Sequence, residues 1–441
     1  MSRPEVTLAT PWQFPAPTIL RLPNGLSVWH FHMPGQHIAT FELVFPVPLS
    51  DEPRDLEGLA SVALHAVDEG TVEHPDGRIS ELLELNGTTL HGTARYPYTT
   101  FGGQSPSRRL NDVLPLFTEV LRSPAYAERD VAHHVEAQEA GFDSTLASPG
   151  AANRLALRRA LFGPDHRDGR PAGGTPATLA AIGATDVRAW HHAHFGPERA
   201  TLLIAGAVNS DEIVEHFAPW TTSTTRHAAA ECVPEQRRRV LVIDQPGAVQ
   251  ATVTIGQRTV TRDDPRWAAL RLAGHAVVGA FASRLNLELR ERLGYTYGID
   301  GGFAPGMSEG QFTVGGSVRN EVAGDAVERL LEGMALATDL TEAEVDDARR
   351  FLIGVAPLAN ETSADIVAQA SSLAAAGLTP DYLPHHFEAL GQVSAGEATE
   401  AFRKLVGPGR ASIAVTGDAS TLVPELERRG LSPEVVDLSR W

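Results

Sequence analysis

Two short stretches of this 441-residue chain carry side chains of the kinds that do chemistry, and they lie far apart. The first, EGLASVALHAVDEGT over residues 57–71, sets one imidazole, His65, in a run of small apolar residues, with Asp68 and Glu69 three and four positions on. A histidine and a glutamate one helical turn apart can share a metal, but a catalytic zinc takes three protein ligands and a water. His91, His133 and His134 can add a ligand from elsewhere, although no spacing requires it. A lone histidine in so apolar a helix is ordinarily a hydrogen-bonded core residue. The second stretch, SRLNLELRERLGYTY over 283–297, carries Arg290 and Tyr297. A guanidinium and a phenol are fixed donors that can hold a carbonyl and stabilise an oxyanion. The plainer reading pairs Arg290 with a carboxylate on a helix surface and starts a buried strand at Tyr297.

The elements that position these residues repeat. Residues 196–206, GPERATLLIAG, and 407–417, GPGRASIAVTG, share Gly-Pro, an Arg two positions after the Pro, and a β-type apolar run closed by Gly, at an offset of 211 residues. A helix-like segment precedes each, and a polar stretch with a short helix follows. An offset near half the chain points to duplication. The halves also open alike. An Asn-Gly turn between alternating runs over 19–46 is a hairpin signal, and two β-rich runs flank a Gln-Pro-Gly turn over 239–260. Leu59, Val62, Ala63, Ala66 and Val67 give the His65 helix an apolar surface over much of its circumference, so it should be buried. The chain therefore reads as α+β: two duplicated halves, 1–218 and 239–441, each a mostly antiparallel sheet with helices packed on it, joined by a polar linker at 219–238.

Bulk properties exclude several classes. A formal charge of −18 argues against sequence-independent binding to nucleic acid or anionic lipid. A single cysteine, Cys232, rules out an internal disulfide and a thiolate zinc site. No signal-peptide core and no transmembrane-length apolar run is apparent, which makes the cytoplasm the expected location.

The stretch at 57–71 resembles the active-site helix of the pitrilysin/insulinase metallopeptidases, in the processing-peptidase branch, which reads G-L-A-H-F-L-E-H-M-x-F-x-G-T around the inverted zinc motif H-x-x-E-H. Gly58, Leu59, Ala60, His65, Gly70 and Thr71 fall in register. Ser61 replaces the first zinc histidine, Leu64 the catalytic glutamate, and only the second histidine, His65, survives. On the later helix the resemblance sets Glu128 at a supporting acid and Val135 at the third ligand, with Glu136 one residue away. The second stretch resembles the family's S-R-L-x-x-x-L-R-E-x-x-G-L-x-Y signature through Ser283, Arg284, Leu285, Leu289, Arg290, Glu291, Gly294 and Tyr297. In the family its Arg and Tyr contact substrate backbone near the scissile bond. Residues 85–100 resemble the edge strand on which substrate adds, placing Asn86, Thr88 and Thr89 near it; an ordinary sheet strand is the equal alternative.

The resemblance implies a non-catalytic subunit of a heterodimeric zinc endopeptidase. The chain itself would hold no cofactor, and zinc would sit in a homologous partner with an intact H-x-x-E-H. This chain would align the peptide and supply Arg290 and Tyr297 in trans. Two other expectations remain: an inert structural or binding subunit of a larger complex, and a self-sufficient hydrolase with a metal site rebuilt around His65, Glu69 and His133 or His134.

Overall fold

The computed structural model describes residues 12–221 and 235–440. Cys232 and most of the expected linker lie outside the described residues. The first six strands are β1 (Thr18–Arg21), β2 (Ser27–His32), β3 (Ile38–Phe45), β4 (Thr89–Ala94), β5 (Thr99–Pro106) and β6 (Thr201–Gly206), in the order β1-β2-β6-β3-β5-β4. The second sheet is built from β7 (Val240–Asp244), β8 (Gln250–Thr259), β9 (Asp300–Ala304), β10 (Gly310–Arg319), β11 (Ser412–Gly417) and β12 (Pro433–Val435), in the order β12-β7-β11-β8-β10-β9. Most pairings are antiparallel; β2 with β6, β7 with β11 and β7 with β12 are parallel.

The sequence repeat falls on equivalent elements. β6 and β11 are 211 residues apart and each sits third or fourth in its sheet, inserted between strands that are neighbours in sequence. Their apolar runs, TLLIAG and SIAVTG, are buried on both faces, as a strand covered on both sides must be. The helices before them, Ala184–His194 and Ala395–Leu405, keep the same offset. The Asn-Gly turn closes the β1–β2 hairpin, with Gly25 at φ +89° where a side chain is disfavoured. Asn24 also donates to the carbonyls of Phe217 and Trp220, both at 2.8 Å. The Gln-Pro-Gly turn joins β7 to β8 without pairing them, because β11 lies between.

Each half lends a helix to the other. Helix α4 (Glu128–Ala147; α1–α3 precede it at Leu59–His65, Arg78–Leu85 and Leu110–Arg122) runs through Ser148 into α5 (Pro149–Phe162). There Ala152, Leu155, Ala156, Ala160 and Leu161 pack on Leu241, Ile243 and Ala414 of the C-terminal sheet. In return, the helix Ser363–Ala375 sets Ile366, Val367, Ala370 and Leu373 against Trp29, Phe31, Val44 and Leu203 of the N-terminal sheet. Polar side chains fix both contacts. The fully buried Asn153 donates to the carbonyls of Thr252 (2.9 Å) and Ala414 (3.0 Å). Ser363 Oγ lies 2.9 Å from both the Ile38 carbonyl and Thr40 Oγ1. Asn153→Ala should destabilise the chain by about 2 kcal/mol, the scale of stripping buried carbonyls of a donor. A urea midpoint equal to that of the unaltered chain would remove Asn153 from this joint.

Candidate functional site

Helix α1 is short, Leu59–His65, and the chain beyond it is tied to the segment at 77–80. There Ser80 Oγ donates to Asp68 O at 2.6 Å and Gly77 N to Glu69 O at 2.8 Å. Asp68 and Glu69 lie outside the helix, and the expected one-turn pairing of His65 with Glu69 is not made. At the other end Gly58 takes φ +104°, and a Cβ there would stand 2.5 Å from the Gly173 carbonyl oxygen. One carboxylate oxygen of Glu52 accepts from Gly58 N (3.1 Å) and Ala60 N (2.9 Å), capping the helix. Its other oxygen accepts from Arg167 Nη2 at 2.8 Å, with both side chains essentially fully buried. Arg167 also donates to the carbonyls of Pro171 and Ala172, and Arg170 forms a fork on Glu57 at 2.6–3.0 Å. At the far end of α1, Tyr126 Oη lies 3.1 Å from Ala63 O and 2.9 Å from His191 Nδ1.

The face so positioned carries few donors. His65 is exposed rather than buried, which corrects the core-histidine expectation, and it makes no hydrogen bond among the described residues. Partial desolvation, and then the neighbouring His134, hold its pKa below the ordinary histidine value. The two rings stand 6.1 Å apart on tilted planes. His134 is engaged elsewhere, its Nε2 lying 2.8 Å from Glu69 Oε1. Ser61 Oγ donates to Gln138 Oε1 at 3.3 Å. Leu64 is buried and packs against Gly92 of β4, where a Cβ would come within 2.9 Å of it. Val135 packs on the N-terminal core from α4, and Glu136 points to solvent.

A zinc ion needs three N, O or S donors about 2.0–2.3 Å from one point. Ser61, Leu64, His65 and Val135 offer a hydroxyl, an imidazole and two hydrocarbons. No group of three or more His, Cys, Asp or Glu able to hold a metal ion occurs among the described residues, the rebuilt set of His65, Glu69 and His133 or His134 included. The residues do not fit zinc. Sequence reasoning missed Gln138, which occupies the space opposite Ser61. The signal was its place one turn beyond His134 and Val135 on the same face of α4.

β4 is one edge of its sheet and, among the described residues, pairs only with β5. Of the residues expected beside it, Thr89 begins the strand and is exposed. Asn86 instead turns its amide to the Leu82 carbonyl of α2 (2.9 Å), and Thr88 is 1% exposed.

The second stretch divides between anchoring and display. Arg284 forms a two-pronged ion pair with Glu344 at 2.6 and 2.7 Å, which holds the Glu344 carboxyl down to about 2. The buried Asn286 exchanges hydrogen bonds with both backbone groups of Ile299 (2.8 and 2.9 Å), and Leu289 enters the core. Arg290 lies in a π-helical turn, Leu287–Arg292. Its guanidinium lies 3.5 Å over the ring of Phe281, donates to the Phe281 carbonyl (3.0 Å) and pairs with Glu291 (2.9 Å). Tyr297 starts no buried strand: β9 begins at Asp300, and the tyrosine is 97% exposed. It lines a cleft against α5 of which Arg290 is not part.

Two opposed buried groups flank α1. Burial pushes Asp68 up to about 6, with Glu69 adding to the rise, and pushes His191 down to about 4 against its bond to Leu121 O. Between about pH 6 and 4 the folded Asp68 keeps a proton that the unfolded chain, with a carboxyl near ~3.9, gives up; acidification there favours the fold. His191 refuses a proton that the unfolded chain, with an imidazole near ~6.5, takes up over nearly the same range, so the same acidification disfavours it. The two effects offset. Asp68→Asn should raise the melting temperature near about pH 7.5 and steepen its fall toward about pH 4.5. Calorimetric curves parallel to wild type across that range would contradict the assignment.

The family model described as Insulinase (Peptidase family M16) matches residues 28–161, and that described as Peptidase M16 inactive domain matches residues 181–352. An uncharacterized zinc protease of Rickettsia bellii is 22% identical over 333 residues, 75% of this chain and 81% of the relative. A Pseudomonas fluorescens structure described as a peptidase M16 inactive domain superposes with a TM-score of 0.84 at 23% identity, over 91% of this chain and 98% of that one. A chain of Candida albicans complex III2 superposes with a TM-score of 0.78 at 13% identity, over 95% and 100%.

Proposed function

The chain belongs to the M16 peptidase family, and from that premise we propose that it is a substrate-aligning, non-catalytic subunit of a two-subunit zinc endopeptidase. The carrying observation is a contrast within one chain. The α1 helix is capped and held in place but offers no zinc donor set, while Arg290 is present, its side chain 13% exposed against Phe281, and Tyr297 stands at the surface. Tyr297 is 97% exposed, Phe281 beneath Arg290 is 79% exposed, and Leu287 in the same segment is 50% exposed. Such a cluster has no use in an isolated soluble chain and fits a face that closes against another protein.

In this reading the partner holds zinc on an intact H-x-x-E-H and performs the hydrolysis. This chain's residues bind and orient: the outer edge of β4 offers main-chain pairing to an extended peptide, with Thr89 beside it. Arg290 and Tyr297 donate to the substrate carbonyl as charge develops on its oxygen. The cytoplasm suits a chain with a single cysteine, which needs no disulfide. Likeness to a complex III2 chain keeps a purely structural role as the second reading, and the retained Arg290 and Tyr297 favour the first.

The test is reconstitution with a co-encoded M16 subunit carrying H-x-x-E-H. Arg290→Ala in this chain should lower kcat by about 10²-fold or more, the scale of losing a transition-state donor, while Ser61→Ala should leave turnover unchanged. The chain purified alone from zinc-replete medium should carry close to no zinc by elemental analysis. Unchanged turnover in Arg290→Ala, or one tightly held zinc per chain, would defeat the proposal.

A further inference from the structure

A cleft of about 600 Å³ opens beside α5, on the part of the C-terminal sheet that this helix leaves bare. Its floor is the outer face of β8 and β10. Strand alternation points Val253, Ile255, Phe312 and Val314 into the core and leaves Thr252 and Thr254 facing the cleft, with Thr313 and Ser317 on the paired strand. Between them Gly315 must stay bare, because a Cβ would meet the Val253 carbonyl oxygen at 2.2 Å. The floor is therefore flat, and threonine and serine hydroxyls stand on it among apolar surface.

The walls carry opposite charges. Arg154 enters from α5, a helix of the N-terminal half, and Tyr297 and Asp300 stand on the far side. Arg158, one turn along α5, is committed: it lies 3.5 Å over the Tyr96 ring and donates to the Asp168 carbonyl at 2.9 Å. Arg154 is exposed, and among the described residues no acceptor takes a hydrogen bond or ion pair from it. An unengaged guanidinium, a free phenol and a hydroxyl-bearing floor together form a recognition surface for a polar extended chain with a negative group at one end.

We propose that this cleft binds a short extended peptide segment by its carboxylate. Arg154 takes the carboxylate, the threonine and serine hydroxyls pair with peptide N–H and C=O groups, and Asp300 accepts an N–H at the opposite end. From β8 to β9 is two interstrand spacings, roughly 10 Å, the length of about three extended residues. The inference rests on the peptide-handling reading above and adds a polarity to it: the carboxylate end of the segment lies against α5. Because Arg154 comes from one half and the floor from the other, the cleft exists only where the halves have exchanged helices.

The test uses the full chain alone and one dye-labelled Ala/Thr octapeptide in three forms: free C-terminal carboxylate, C-terminal amide, and amide with one internal Glu. Fluorescence anisotropy at low salt should show a carboxylate-bearing form binding about 10-fold or more tighter than the plain amide, the scale of a charge-assisted bond. Arg154→Gln should erase that difference, and Arg154→Lys should restore part of it. A preference for the free terminus alone identifies a peptide C-terminus, for the Glu form alone an acidic side chain, and for both the shared carboxylate chemistry. Equal binding of all three forms, binding of none, or a preference that survives Arg154→Gln overturns the proposal. The assay needs neither partner nor zinc. A silent Arg154→Gln beside a turnover loss in Arg290→Ala removes the cleft and leaves the subunit role standing, whereas the reverse result separates the cleft from that role.

Discussion

Each six-stranded sheet presents apolar surface on both faces, on the outer face at its central strands, and its own half supplies helices for only the inner one. That constraint governs the molecule. Trp29, Phe31, Val44, Leu203 and Ala205 on one outer face, and Leu241, Ile243 and Ala414 on the other, are buried by a helix lent from the opposite half. Burying a large apolar side chain contributes about 1.5–3 kcal/mol, so each exchanged helix shields on the order of 10 kcal/mol of apolar surface. That equals the net stability of a typical domain. The halves are duplicated in sequence yet not separable in energy. Their locked arrangement fixes where the His65 helix stands relative to the Arg290 segment.

The joint continues to the His65 helix through charge and aromatic contacts. Arg158 of α5 stacks on Tyr96, whose hydroxyl donates to the Arg170 carbonyl at 2.7 Å. Arg170 holds Glu57, Arg167 holds Glu52, and Glu52 caps α1. A buried ion pair of this kind adds little net stability relative to apolar packing, but removing one member strands a buried charge and costs several kcal/mol. The network is self-supporting, and none of its members is a metal ligand. The placement of α1 accordingly does not depend on a metal: the groups that aim the helix are Glu52, Glu57, Arg167 and Arg170, not Ser61, Leu64, His65 or Val135.

This division explains what could be read from the sequence. Regular, local patterns were legible. The 211-residue offset of GPERATLLIAG and GPGRASIAVTG fell on equivalent central strands, and the Asn-Gly turn closed a hairpin. Contacts between residues distant in sequence were not. Nothing in PGAANRLALRRALF marks α5 as a cover for the other half's sheet, since its apolar stripe would suit either one. The one-turn pairing of His65 and Glu69 assumed a helix that continues, but α1 ends at His65 and the residues after it bond to the segment at 77–80. Thr88 looked like an edge-strand residue by position but lies buried just before the strand begins. The exposure of His65 was hidden for the same reason: α1 is packed by the helix Ala184–His194, β4 and α4 and five of its seven residues are buried, yet the arrangement of those distant elements leaves its last residue open.

The resting pose of Arg290 bears on whether it can serve a partner's active centre. In this chain the guanidinium is occupied by the Phe281 ring, the Phe281 carbonyl and Glu291. Together they leave the arginine side chain only 13% exposed. Glu291 is more than half exposed, and an ion pair of that kind contributes about 0–1 kcal/mol; stacking on an exposed ring adds about 0.5–1 kcal/mol. Removing a donor to a developing oxyanion in a closed, water-poor site costs about 3–4 kcal/mol. In the proposed exchange to a substrate carbonyl the guanidinium also gives up its charge-assisted bond to the Phe281 carbonyl, a contact of about 1.5–3 kcal/mol, so the resting contacts and the one that would replace them are of similar size.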